Sequence, residues 1–174
     1  VSVCEGWITV GGYDSTDEAW IPRLMVRRRS DRFPLESVFV SVIEPYVGTP
    51  AIAGARRIPR DGRGLSGGGD VTVEIRLADG RRDVVRAADV AAGAGGRPGA
   101  AVPGPEMSGD CEIAWARFGA DGCVQALAGG NGTSMAAGGV EVVLGGSDAF
   151  AEVHRSGRSF AVAAGRAEGI VVRA

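Results

Sequence analysis

Apolar and polar residues alternate along most of this chain in short runs, and no apolar run at helical spacing lasts longer than about two turns. The cleanest alternation sets Val71, Val73, Ile75 and Leu77 against Thr72, Glu74, Arg76 and Ala78, a strand with one face to the core and one to water. Asp79-Gly80 then turns the chain into residues 81–87, the signature of a β-hairpin. A second pattern is two-sided. Val38, Val40 and Val42 alternate with Phe39, Ser41 and Ile43, which predicts a central strand covered on both faces. Pro45 removes an amide hydrogen and ends that strand, and Gly48 with Pro50 turns the chain into the next one at residues 51–59.

Upstream, residues 1–10 read as a strand closed by Gly11-Gly12, residues 13–19 as a polar loop, and residues 20–29 as a mixed apolar–arginine stretch. Residues 61–70 carry five glycines and predict an irregular connection. Past residue 109 come short runs at 111–118, 123–128, 133–136, 140–144, 149–154, 160–164 and 169–173, separated by glycine turns. The expected fold is all-β: an antiparallel β-sandwich portion over residues 1–90, a Gly/Ala/Pro-rich connection at 91–109, and a smaller carboxy-terminal β-sheet unit over 110–174. With 174 residues and 45% hydrophobic content, the chain is long enough to bury a core. Its 29 glycines and 8 prolines suit many turns.

Charge narrows the functional classes. All 19 basic residues are arginine, yet the net charge is −2, which argues against a nucleic-acid partner. No apolar run approaches the roughly 18 residues of a membrane-spanning helix, so no membrane partner is expected. Cys4, Cys111 and Cys123 lack the paired spacing of a metal cage. A bridge between Cys111 and Cys123 is conceivable, and two buried thiols is the preferred state. The chain opens on Val1 and already reads as extended, which suggests a piece of a longer protein.

Several motifs invite chemistry. Residues 132–137, Gly-Thr-Ser-Met-Ala-Ala, resemble the nucleophile segment of subtilisin-like proteases, but Gly138-Gly139 follow where that family has proline. A serine nucleophile also needs a base and an orienting acid, and the sole histidine, His154, lies downstream without a family motif around it. The plainer expectation is a hairpin with an Asn131-Gly132 turn, which also accounts for the glycosylation-like Asn131-Gly132-Thr133. Without lysine the glycine-rich runs make no phosphate loop. His154, with Asp148 and Glu152 as its nearest acids, reads as a surface or locally hydrogen-bonded residue rather than a metal ligand. Arginines at 27–29, 56–57 and 81–82 suit carboxylates or sulfates of an acidic polysaccharide, and Trp7, Trp20, Trp115, Tyr13 and Tyr46 suit sugar rings. Ordinary solvated strand residues and core aromatics remain the alternative.

Residues 39–46, Phe-Val-Ser-Val-Ile-Glu-Pro-Tyr, preceded by the Arg-rich stretch at 24–29, resemble a late segment of heparinase II/III-like polysaccharide lyases. Residues 109–117, Gly-Asp-Cys-Glu-Ile-Ala-Trp-Ala-Arg, are similar to the sheet tail of that family, and the likeness continues through Gly122 and Gly132-Thr133 to residues 140–144. The resemblance implies the end of a large antiparallel super-sandwich plus a smaller sheet, placed after an α-helical toroid that would be this chain's partner. It also implies a parent reaction of β-elimination on acidic polysaccharide. The family's His-Gly-His-like segment and the toroid's Tyr and His have no counterpart here, so no catalytic residue is carried over. No metal and no cofactor is expected.

The sequence reading is therefore a non-catalytic portion that supports a substrate cleft, with Trp20, Arg27, Arg29 and Tyr46 as speculative substrate contacts. A free-standing carbohydrate-binding sandwich and a structural or oligomerisation domain are the alternatives.

Overall fold

A computed structural model describes residues 2–9, 18–35, 37–58, 71–87, 107–146, 149–165 and 169–174. Among them are thirteen strands and no helix. The chain forms two compact units, Val1–Phe39 and Val40–Ala174. The expected loop at 13–19 and the connection at 61–70 fall largely outside the described residues, as does Tyr13.

The first unit holds one antiparallel pair. Strand β1 (Ser2–Thr9) runs against β2 (Glu18–Met25), with Trp7 in register with Trp20. Among the described residues between β2 and β3, none belongs to a strand or helix.

The second unit is an antiparallel β-sandwich, so the all-β class is correct. Its larger sheet contains β3 (Ile52–Ile58), β4 (Val71–Leu77), β5 (Arg82–Ala87), β7 (Ile113–Phe118), β8 (Val124–Gly130), β11 (Phe150–Ser156) and β12 (Ser159–Gly165). Their spatial order is β12-β11-β8-β7-β5-β4-β3. The smaller sheet is ordered β13-β10-β9-β6, from β6 (Met107–Gly109), β9 (Ser134–Ala137), β10 (Val140–Val143) and β13 (Val171–Arg173). All seven strands expected after residue 109 form, and so does the hairpin at Asp79-Gly80, where Gly80 takes a φ of 86° that side-chain-bearing residues avoid.

The core lies between the two sheets. From the larger sheet come Val84, Ala114, Ala116, Phe118, Val124, Leu127, Ala151 and Val153; from the smaller come Met107, Met135, Ala137, Val140 and Val142. Gly129 and Gly138 let the layers close, because a side chain at Gly129 would strike the Met135 sulfur and one at Gly138 would strike Val124.

Three expectations need correction. Val38–Ile43 is not a central strand: it forms no ladder with any described residue, and Val38, Phe39, Val40, Val42 and Ile43 are all exposed. Two-sided hydrophobicity gives a strand nothing unless neighbours offer free edges on both sides. Here Glu44 serves instead as a clasp, its Oε1 accepting the amides of Ala51 (2.6 Å) and Ile52 (2.9 Å) at the start of β3. Next, residues 71–87 and 113–130 share one sheet, since β5 pairs with β7, and the compact units divide at Phe39/Val40 rather than around 91–109. Lastly, the polar row of β4 is not given over to water. Glu74 lies on the sandwich side opposite Val84 and is as buried as Val73 on the other face.

Candidate functional site

The face of the larger sheet turned away from the smaller one carries a groove, and β8 supplies its floor. Every second residue of β8 on that face is small: Ala126, Ala128 and Gly130. Register places Arg117, Trp115 and Ile113 of β7 beside them on one flank, and His154, Glu152 and Phe150 of β11 on the other. A strand of short side chains between two strands of long ones leaves a trough along the sheet. At one end it opens into a cavity of about 270 Å³ lined by Ile113, Trp115, Ala128, Gly130, Asn131 and Phe150. Ile113 and Phe150 are half exposed, so the walls are apolar and open to solvent.

The other end is charged but internally balanced. Arg117 donates from Nε and Nη2 to the two carboxylate oxygens of Asp83, both at 2.7 Å, and that contact raises its already high pKa. Its guanidinium also sits 5.2 Å from the centre of the Trp115 ring, a cation–π distance that restrains the indole. Across the floor, His154 Nε2 and Glu152 Oε1 lie 2.6 Å apart. The lone histidine is thus a locally hydrogen-bonded surface residue. Among the described residues no group of three metal-ligating side chains converges, and Asp148 lies outside them.

A crossover at the apolar end holds Asn131 in place. Asn131 takes a left-handed backbone, φ 54°, and its Nδ2 donates to Glu112 Oε2 at 2.9 Å. Asp110 then captures the start of β9: its Oδ1 accepts the amides of Thr133 (2.8 Å) and Ser134 (2.7 Å), and its Oδ2 accepts the Thr133 hydroxyl (2.6 Å). Burial by itself would raise the Asp110 carboxyl, but these hydrogen bonds together hold it below its usual range. Ser134 is accordingly bound to a structural carboxylate. The Asn131-Gly132 turn is not the expected hairpin either, because it carries the chain from β8 in one sheet to β9 in the other. Gly132 is pressed so closely on the Cys111 backbone that no side chain fits there, and its bare Cα lets the chain cross at this point.

Of the residues expected to touch substrate, Trp20 lies in β2, and Arg27 and Arg29 are exposed in the irregular stretch after it, all in the first unit. Tyr46 is exposed in the irregular stretch that precedes β3 in the second unit. Trp115 was among the aromatics suited to sugar rings, whereas Ile113, Phe150 and the floor of β8 gave no motif. Their signal was the pairing of two periodicities, long side chains at 113, 115 and 117 and short ones at 126, 128 and 130. Cys111 and Cys123 are free thiols, the first buried and the second exposed, so only one of the two is in the core. No protein-family model, curated protein or solved structure matches the chain.

Proposed function

We propose that this chain is the non-catalytic all-β portion of a heparinase II/III-like polysaccharide lyase, and that it contacts glycan through the Trp115 groove. The observation that carries the binding role is the open apolar cavity walled by Ile113, Trp115 and Phe150 over a floor of alanine and glycine. An indole offers a broad flat surface at little conformational cost, which suits the C–H face of a pyranose ring. Because Arg117 is already matched by Asp83, the groove favours ring stacking over capture of a uronate carboxylate. The parent reaction, β-elimination beside a uronate, needs a positioned base and stabilisation of the enolate, roles assigned to the toroid rather than to this chain.

Titration of the full chain with neutral and uronate-containing oligosaccharides, read by tryptophan fluorescence, tests this. We expect dissociation constants of ~0.1–1 mM, as for a shallow open site. Trp115→Ala should weaken binding at least ~10-fold with the circular dichroism unchanged. Equal binding by Trp115→Ala would remove the groove from the reading. Incubation with alginate, heparin or hyaluronan should give no unsaturated-uronate absorbance, and a clear rise would reject the non-catalytic assignment. A free-standing carbohydrate-binding module is the second reading, favoured by a groove built wholly from the second unit. Glycan affinity unaltered by addition of the toroid would select it.

A further inference from the structure

The four outer strands of the sandwich are not guarded alike. A sheet edge offers unpaired amides and carbonyls to any passing strand, and proteins blunt such edges with charge, proline, a bulge or brevity. Edge strand β3 has a register irregularity between Ile52 and Gly54 and carries Arg56 and Arg57. β6 and β13 are three residues each, and β13 ends on Arg173, paired with Glu141 at 2.8 Å. β12 has none of these devices. Its seven residues, Ser-Phe-Ala-Val-Ala-Ala-Gly, contain no charge and no proline, pair with β11 without a register break, and are exposed from Ala161 to Gly165.

We propose that β12 is a self-association edge, where a second copy of this chain pairs antiparallel to continue the larger sheet across a two-fold axis centred on Val162. The hairpin fixes which groups are free. Ser156 and Ser159 flank a two-residue turn in which Gly157 has φ 62°, so they exchange hydrogen bonds, and the alternation continues along β11 and β12. Ala161, Ala163 and Gly165 therefore turn their backbone groups to β11, and Phe160, Val162 and Ala164 turn theirs outward. Centred on Val162, the pairing sets Val162 against Val162 of the second copy and Phe160 against Ala164 of the second copy. Every outward amide then meets a carbonyl, and the largest side chain of the row faces a small one.

The same row is the sandwich-side face of β12. Phe160 packs on the core, but Val162 remains 47% exposed. A second copy would cover that overhang with its own apolar row. The charge-free stretch from Ser159 to Gly165 suits a like partner, since within it no like charges are set opposite each other when identical strands meet. A glycan has no amide row to satisfy the edge. One seven-residue strand falls short of the roughly 800 Å² per side of a standard interface, so the dimer should be weak, with a dissociation constant of about 10–500 μM.

Sedimentation equilibrium of the full chain over that range should show monomer and dimer only. Val162→Lys and Val162→Glu should each be monomeric, because like charges would then lie opposite each other, and an equimolar mixture of the two should dimerise again. In the unmodified chain, amide exchange at Phe160, Val162 and Ala164 should slow as concentration rises, a readout that depends on no variant. A chain monomeric up to ~1 mM, dimers that persist in both charged variants, a folded mixture that stays monomeric, or exchange indifferent to concentration would each overturn the proposal.

Discussion

Glu74 offers the sharpest test of how the sandwich is held together. Its side chain is only 4% exposed on the core side of β4, a costly place for a carboxylate unless it is paired. Arg56 of β3 donates to it from Nε (2.8 Å) and Nη2 (3.0 Å), and Arg76 donates from Nε (2.8 Å). Hydrogen bonding by Arg56, against the opposing effect of burial, holds the carboxyl down to about 2 from an ordinary 4.5. That difference corresponds to ~3 kcal/mol of stability at neutral pH. Arg56 and Arg76 keep 61% and 64% of their side chains in water, so screening reduces it to about 2 kcal/mol. The sign follows from a depressed acid: the contribution is complete above about pH 4.5 and is lost as pH falls through about 2. Urea unfolding of the wild type and Glu74→Gln at pH 7, 5 and 3 measures it. The variant should be less stable by about 2 kcal/mol at pH 7, and the gap should narrow at pH 3. A gap independent of pH, or no gap at pH 7, would refute the claim that the ionised carboxylate is what stabilises this edge.

Two further outcomes follow from the crossover. Gly132→Ala places a methyl against the Cys111 backbone, whose nitrogen lies 2.6 Å from the new carbon; a loss of ~2–4 kcal/mol in denaturant unfolding is expected. Burial, reinforced by the charge of Asp110, pushes the Cys111 thiol up to about 11, so at pH 8 iodoacetamide should modify exposed Cys123 promptly and Cys111 only on unfolding, as peptide mapping would show.

Local chemistry made much of the second unit legible. Asp79-Gly80 between alternating runs admitted one outcome, and regular glycine turns after residue 109 located each strand within a few residues. What stayed hidden was pairing. Val38–Ile43 has the stronger hydrophobic signal, but strand character needs partners with free edges, and the register that supplies them is a property of the whole sheet. Glu74 was hidden for a related reason. Its carboxylate tolerates the core side because Arg56, eighteen residues earlier, lies opposite it in the ladder and Arg76 joins it from the same strand.

The groove shows the same dependence at the level of function. Ala126, Ala128 and Gly130 are unremarkable as sequence, since small residues at alternate positions suit any tightly packed strand. They become a floor only because β7 and β11, whose own outward residues are large, flank β8 on both sides. That neighbourhood exists because the chain leaves the sheet after Asn131, builds β9 and β10 in the other layer, and returns as β11. Asp110 secures the departure by binding both amides at the start of β9, and Gly132 permits it by lying against Cys111. The same crossover therefore places core residue Met135 over Gly129 and aligns Phe150 with Gly130, so the packing of one face and the trough on the other are set by a single excursion of the chain.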